Sequence, residues 1–94
     1  MFIEVQEFRL APGVEVAKLR SVDAGVQSWS HLHQRHVLRR TTATTDDGEV
    51  VIISLFGGND PPEAPDPEAG AVRALAEVID PATYQRRVYH DLGG

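Results

Sequence analysis

The chain has ninety-four residues, with nine Lys and Arg against fourteen Asp and Glu, a formal charge of −5 and no cysteine. Disulfides and thiolate metal sites are thereby excluded, and the acidic balance argues against a nucleic-acid partner, which calls for a basic face. One domain over residues 1–94 is expected, burying roughly two-thirds of its unfolded surface, so a partner interface would usefully extend its core.

Met1 runs directly into a strand-like segment, with no basic leader and no long apolar run. Neither a signal peptide nor a membrane span is expected, and the cytoplasm is the default compartment. Phe2 to Leu10 reads as a first strand, with Phe2, Glu4, Gln6 and Phe8 on one face and Ile3, Val5, Glu7 and Arg9 on the other. Ala11-Pro12-Gly13 ends it. Val14 to His33 reads as a long helix, because Glu15, Leu19, Val22, Val26, Trp29 and His33 recur in steps of four, three, four, three and four residues. Gly25 lies inside that helix at a cost of about 1 kcal/mol relative to alanine, and nothing in the sequence accounts for it.

Val37 to Gly57 reads as a β-hairpin. Leu38 to Thr45 is rich in threonine and apolar residues, Asp47-Gly48 suits a two-residue type I′ turn, and Glu49 to Phe56 is apolar at nearly every position. Such a turn pairs Thr45 with Val50, Ala43 with Ile52, Thr41 with Ser54 and Arg39 with Phe56 on one face of the sheet. A three-residue loop with a bulge would change that register. Gly58 to Pro67 is a proline-rich acidic linker. Glu68 to Ile79 is a shorter helix with Val72, Leu75, Ala76 and Ile79 on one side, stopped by Asp80-Pro81. Thr83 to Leu92 is a last strand, and the terminal Gly93-Gly94 is expected to fray.

The order β-α-β-β-α-β predicts an α+β fold: a ferredoxin-like protomer with a four-stranded antiparallel sheet and both helices on one face. The first and third strands are then central. The third strand is apolar on both faces and the first carries Ile3 and Val5 opposite Gln6, yet helices cover only one side. A partner subunit is the simplest cover for the other.

The strings EFRLAPG, LRRTTA, DDGEVVIISLF and IDPATYQRRVY, in this order of elements, resemble the dimeric α+β barrel superfamily, in the branch of antibiotic-biosynthesis-monooxygenase-like proteins. The resemblance covers nearly the whole chain and is weakest from Gly58 to Val78. It implies a homodimer whose two sheets close a barrel, with helices outside and a small hydrophobic ligand in a cleft between helices and sheet. It also implies an activity among cofactor-independent oxygenases of polyketide-type aromatics, haem-degrading enzymes, isomerases and cyclases. Haem degraders of this kind look to carry an asparagine, a tryptophan and a histidine. Gln6 and Phe56 stand at the first two positions and the second helix has no histidine, which points away from haem. The expectation is a monooxygenase or cyclase that needs no cofactor and acts on a small aromatic or polyketide-like molecule. The alternative is a non-catalytic binding or dimerisation module of the same fold.

Candidate site residues follow. His31, His33 and His36 suggest a metal, but on a helix His31 and His33 lie about 200° apart, so the three read instead as cations near a helix C-terminus and no metal is expected. His33 continues the helix stripe and is a candidate general base; the plainer reading is a hydrogen-bonded residue closing the core. Gln6, Arg39, Thr41, Ser54 and Phe56 fall on the helix-facing side in the register above, with Trp29 hanging over them. They read as a ligand site in which Arg39 holds an anionic or enolic oxygen. The plainer reading has Arg39 reaching out to water while Ser54 and Thr41 pair across strands. Tyr84, Tyr89 and His90 are possible proton donors, but more readily interface aromatics.

Overall fold

The computed structural model describes residues 1–93; Gly94, expected to fray with Gly93, lies outside them. Its elements are β1 (Phe2–Arg9), α1 (Val16–His33), β2 (Val37–Thr44), β3 (Glu49–Phe56), α2 (Gly70–Ala76), one turn of 3-10 helix (Pro81–Thr83) and β4 (Gln85–His90). The four strands form one antiparallel sheet in the order β2-β3-β1-β4, the ferredoxin-like arrangement, with β1 and β3 central. No helix among the described residues is long and apolar enough to cross a membrane.

Strand alternation sets the layers. The even-numbered residues of β1 and β3 are buried, and Phe8, Val50 and Ile52 form one core cluster with Leu19 and Val26 of α1 and with Leu75 and Val78 from the α2 region. Ile52, fully buried, sits at its centre. The odd-numbered face of the same strands carries Ile3, Val5, Val51, Ile53 and Leu55 with no layer over it, and Ile53 is 41% exposed.

The hairpin corrects the sequence reading. Its loop has three residues, Asp46, Asp47 and Gly48, closed by Thr45 N–H donating to the Glu49 carbonyl (2.9 Å) and Gly48 N–H donating to the Thr45 carbonyl (3.2 Å). Gly48 has φ +91° and is the only loop residue in the left-handed region, so the turn is a right-handed one followed by a glycine bulge, not type I′. The Thr45 side chain decides this: its hydroxyl bonds the Asp47 carboxylate and accepts the Glu49 N–H, and neither contact exists in a two-residue turn. One extra loop residue moves every β2 side chain to the other face. Thr42 opposes Ile52 and Arg40 opposes Ser54, so Arg40 and Thr42 face the helices while Arg39 and Thr41 face away. A second irregularity, between Val37 and Arg39, puts Val37 opposite Phe56 where Arg39 was expected.

Three smaller differences concern element ends. The first helix starts at Val16, because Val14 instead closes a turn by donating its N–H to the Ala11 carbonyl (3.0 Å). The second helix is seven residues long, and Val78, beyond its end, takes the buried place expected of Ala76. Asp80 accepts the Ala82 N–H (3.2 Å), capping the 3-10 turn, so β4 begins two residues later than expected.

Gly25 lies where α1 passes α2: a Cβ built there meets only the Ala71 Cβ, at 4.0 Å. That is ordinary van der Waals contact, so the packing tolerates a methyl group. Gly25→Ala should therefore raise unfolding stability by about 0.5–1 kcal/mol, read as a higher urea midpoint at unchanged slope; a lower midpoint would show that the helices need the closer approach.

Candidate functional site

Between the helices and the sheet lies a cavity of about 320 Å³. Its walls are apolar: Val26 and Trp29 from α1, Val72 and Leu75 from α2, and Ala64, Pro65 and Pro67 from the linker. Its floor is polar, made by Glu4, Gln6, Ser54 and Arg40 from the sheet, with Tyr84 at one side. An apolar chamber with a few convergent polar groups is the usual form of a small-molecule site.

The polarity of the floor follows from one residue. Glu4 is 1% exposed, on a central strand, and a carboxylate there must be paired. Arg86 stands opposite Gln6 on β4, which makes it the diagonal neighbour of Glu4 on the same face. Its Nε lies 2.7 Å from Glu4 Oε2. A second Arg86 nitrogen donates to the Pro62 carbonyl (3.0 Å), which ties the linker down over the cavity. Glu4 Oε1 takes the Gln6 amide NH2 (3.3 Å). Since the paired carboxylate is acceptor only, Gln6 must present its nitrogen to Glu4 and its oxygen to Tyr84, and the Tyr84 hydroxyl must donate to it (2.8 Å). Burial and the nearby Glu4 charge push the Tyr84 phenol above its ordinary pKa, against a smaller opposing pull from Arg86. Tyr84 is thus a protonated hydroxyl at neutral pH.

The opposite side of the floor has its own pair. Arg40, its side chain 3% exposed, places one nitrogen 2.8 Å from Asp23 Oδ1 and donates another to Gln27 (3.2 Å), both on α1. Thr42 donates to the same Asp23 oxygen (3.0 Å). Between Arg40 and Glu4, directly opposite each on neighbouring strands, stands Ser54. It is 2% exposed, its hydroxyl has no hydrogen-bond partner among the described residues, and it lines the cavity. Among the described residues no fully enclosed polar side-chain atom lacks a partner, so that hydroxyl opens into the cavity.

Of the residues singled out from sequence, Gln6, Trp29, Ser54 and Tyr84 meet in this cavity. Phe56 is buried on the same side of the sheet but lines a neighbouring cavity of about 840 Å³ beneath the linker, together with His33 and His36. Arg39 and Thr41 are exposed on the opposite face, a consequence of the hairpin register, so the expected Arg39–Phe56 pairing is not formed. His33 is also exposed. Its ring packs against Trp29 with centroids 5.9 Å apart and does not reach the floor, because the helix stripe has rotated clear of the sheet by its last turn. His31 pairs with Gln27 on the helix surface (3.1 Å), and His36 sits in a left-handed conformation at φ +64° after the helix. Tyr89 is 47% exposed on the open face, and the His90 ring stacks on Phe2 at 4.9 Å.

Glu4, Arg40 and Arg86 were missed. Arg40 was hidden by the turn. For Glu4 and Arg86 a signal existed: two opposite charges on one face of adjacent strands, one of them between Phe2 and Gln6. Comparison with protein-family models, with curated proteins and with solved structures gives no significant match. The fold and the site therefore stand on the geometry alone.

Tyr84 offers a direct check. Its phenol pKa in the folded chain lies above the unfolded value of 10.0, so as pH rises the unfolded chain loses this proton first. The stability that the neutral hydroxyl contributes is complete below pH 10 and declines as pH rises through the folded pKa. Subtracting the tyrosinate absorbance titration of Tyr84→Phe from that of the wild type should place the Tyr84 step above pH 10; a step at or below 10 would refute the partly desolvated donor.

Proposed function

We propose that the chain is a cofactor-independent enzyme of the monooxygenase or cyclase type, acting on a small, planar, hydrophobic substrate held in the cavity over Glu4. The observation that carries this reading is the buried Glu4 carboxylate at the bottom of an apolar-walled cavity, oriented by Gln6 and Arg86 and accompanied by a protonated Tyr84. A phenol or enol resting on the apolar walls directs its hydroxyl to the floor. Glu4 takes that proton, and the Ser54 hydroxyl, unpaired among the described residues, donates a hydrogen bond to the developing oxyanion.

Deprotonation makes the ring or enolate carbon electron-rich, which serves both chemistries. With dioxygen, one phenol and one O2 give one quinone and one water, so no external reductant is needed. With a carbonyl in the same molecule, the enolate carbon attacks it to close a ring; the C=O π bond becomes an alkoxide, which takes back the proton held by Glu4. The roles first expected of His33 and Arg39 pass to Glu4 and Ser54, because the floor is reached by these two and not by the histidine or Arg39.

One observation favours the non-catalytic alternative. Both Glu4 oxygens already have partners, Oε2 the Arg86 Nε and Oε1 the Gln6 amide, so the group can serve as a fixed structural element with no proton transfer. The two readings separate in a dioxygen-uptake and product assay over hydroxylated polycyclic aromatics with no cofactor added. Turnover is expected in the wild type, and Glu4→Gln should lower kcat about 10²–10⁴-fold, beyond any change in KM. Binding without turnover would leave only the binding module.

The proposal includes a homodimer built on the open sheet face, where Ile3, Val5, Val51, Ile53 and Leu55 form an apolar surface rimmed by Arg39, Thr41 and Arg87. Patches of this kind mark interfaces. Light scattering should give twice the protomer mass of 10.3 kDa. Ile53→Glu should yield monomers without altering the helix-facing core; a wild-type monomer would sink the dimer.

A further inference from the structure

Two properties of the cavity floor define the ligand it accepts. The first is charge. Among the described residues two charged ones line the cavity, and each already has its counter-ion: Glu4 has Arg86 at 2.7 Å, and Arg40 has Asp23 at 2.8 Å. Tyr84 adds none, because its phenol stays protonated. A charge of either sign carried in by a ligand would lose its water among apolar walls and find no unpaired partner, a penalty of several kcal/mol per ion.

The second property is hydrogen-bond polarity. A carboxylate offers about four acceptor sites, and Glu4 uses one on each oxygen. The Tyr84 hydroxyl donates to Gln6, which leaves its own lone pairs unused. Ser54 has no partner at all for its hydroxyl among the described residues, although it is 2% exposed. Spare N–H donors remain on Gln34 and Arg40, which also line the cavity, but at Glu4, Tyr84 and Ser54 the unused capacity is able to accept. These three come from different elements: β1, the segment before β4, and β3. They meet only on the cavity floor.

Resting on the cleft reading above, we infer that the cavity selects an uncharged, hydroxyl-donating apolar ligand and rejects carboxylates and amines of the same shape, with Glu4 as the specificity-determining acceptor. The chemical class is therefore narrower than a planar hydrophobic molecule. It is one whose hydroxyl is still protonated when it arrives, as in phenols, enols and alcohols, and whose remaining surface is apolar.

Three bicyclic probes of nearly one shape test this: a naphthol, its methyl ether and the corresponding naphthoate, titrated calorimetrically into the full chain near neutral pH. The naphthol should bind at least about tenfold more tightly than either of the others, since it alone gives a hydrogen bond to a charged acceptor without bringing a charge. In Glu4→Gln the advantage of naphthol over ether should shrink about tenfold, and the naphthoate should not weaken. The wild-type comparison needs no variant, so it decides the matter even if Glu4→Gln does not fold. Naphthoate or ether binding as tightly as naphthol overturns this inference and leaves the cleft standing. No binding of any probe overturns the cleft itself, and the proposed function with it.

Discussion

A carboxylate on a central strand, closed off from water, constrains everything around it. Glu4 cannot stay charged in that place without a cation and hydrogen-bond donors, and the fold provides them from two other places in the chain. Arg86 arrives from β4 as the diagonal neighbour, and Gln6 arrives from the next position on the same face of β1. The orientation of Gln6 then fixes that of Tyr84. Arg86 also holds the Pro62 carbonyl, the one hydrogen bond that joins residues 58–67 to a side chain outside them among the described residues. The roof of the cavity is thus tied to its floor through one guanidinium.

Much of the fold was legible in the sequence because it rests on period and punctuation. The strict alternation of Phe2, Glu4, Gln6 and Phe8 gave the helix-facing side of β1 correctly, and the apolar run of Glu49 to Phe56 marked a central strand. The four elements after the first helix appeared in the expected order. What period cannot supply is register across a turn. Asp47-Gly48 has the composition of a two-residue turn, but the hydroxyl of Thr45 bonds both Asp47 and the Glu49 N–H and so stabilises a loop one residue longer. That is a side-chain effect outside the dipeptide, and it exchanges Arg39 for Arg40 and Thr41 for Thr42 on the helix side.

The candidate site was half legible for the same reason. Gln6 and Ser54 sit on strands whose faces were set by apolar neighbours, so their placement survives the change in register. Arg39 and Thr41 sit on β2, where both faces carry polar residues and alternation does not say which one is inside. His33 failed for a different reason. A stripe stepping by four and three residues stays on the core only as far as the sheet lies under it, and by the last turn of α1 the stripe faces solvent beyond Trp29.

The buried pairs have a further bearing on why the cavity exists. A buried ion pair contributes little net stability, since apolar residues of equal volume hold a core as well or better. Val26, Leu75 and Ile52 show that this chain packs an ordinary apolar core a short distance away. If stability were the only requirement, the row Arg40–Ser54–Glu4 would be a poor choice: two charges needing separate partners and a hydroxyl with none among the described residues. The row does something that an apolar core cannot. It places the acceptor atoms of Glu4 and Ser54 at fixed register on the floor of the cavity, on the two central strands, each with a ladder on both sides.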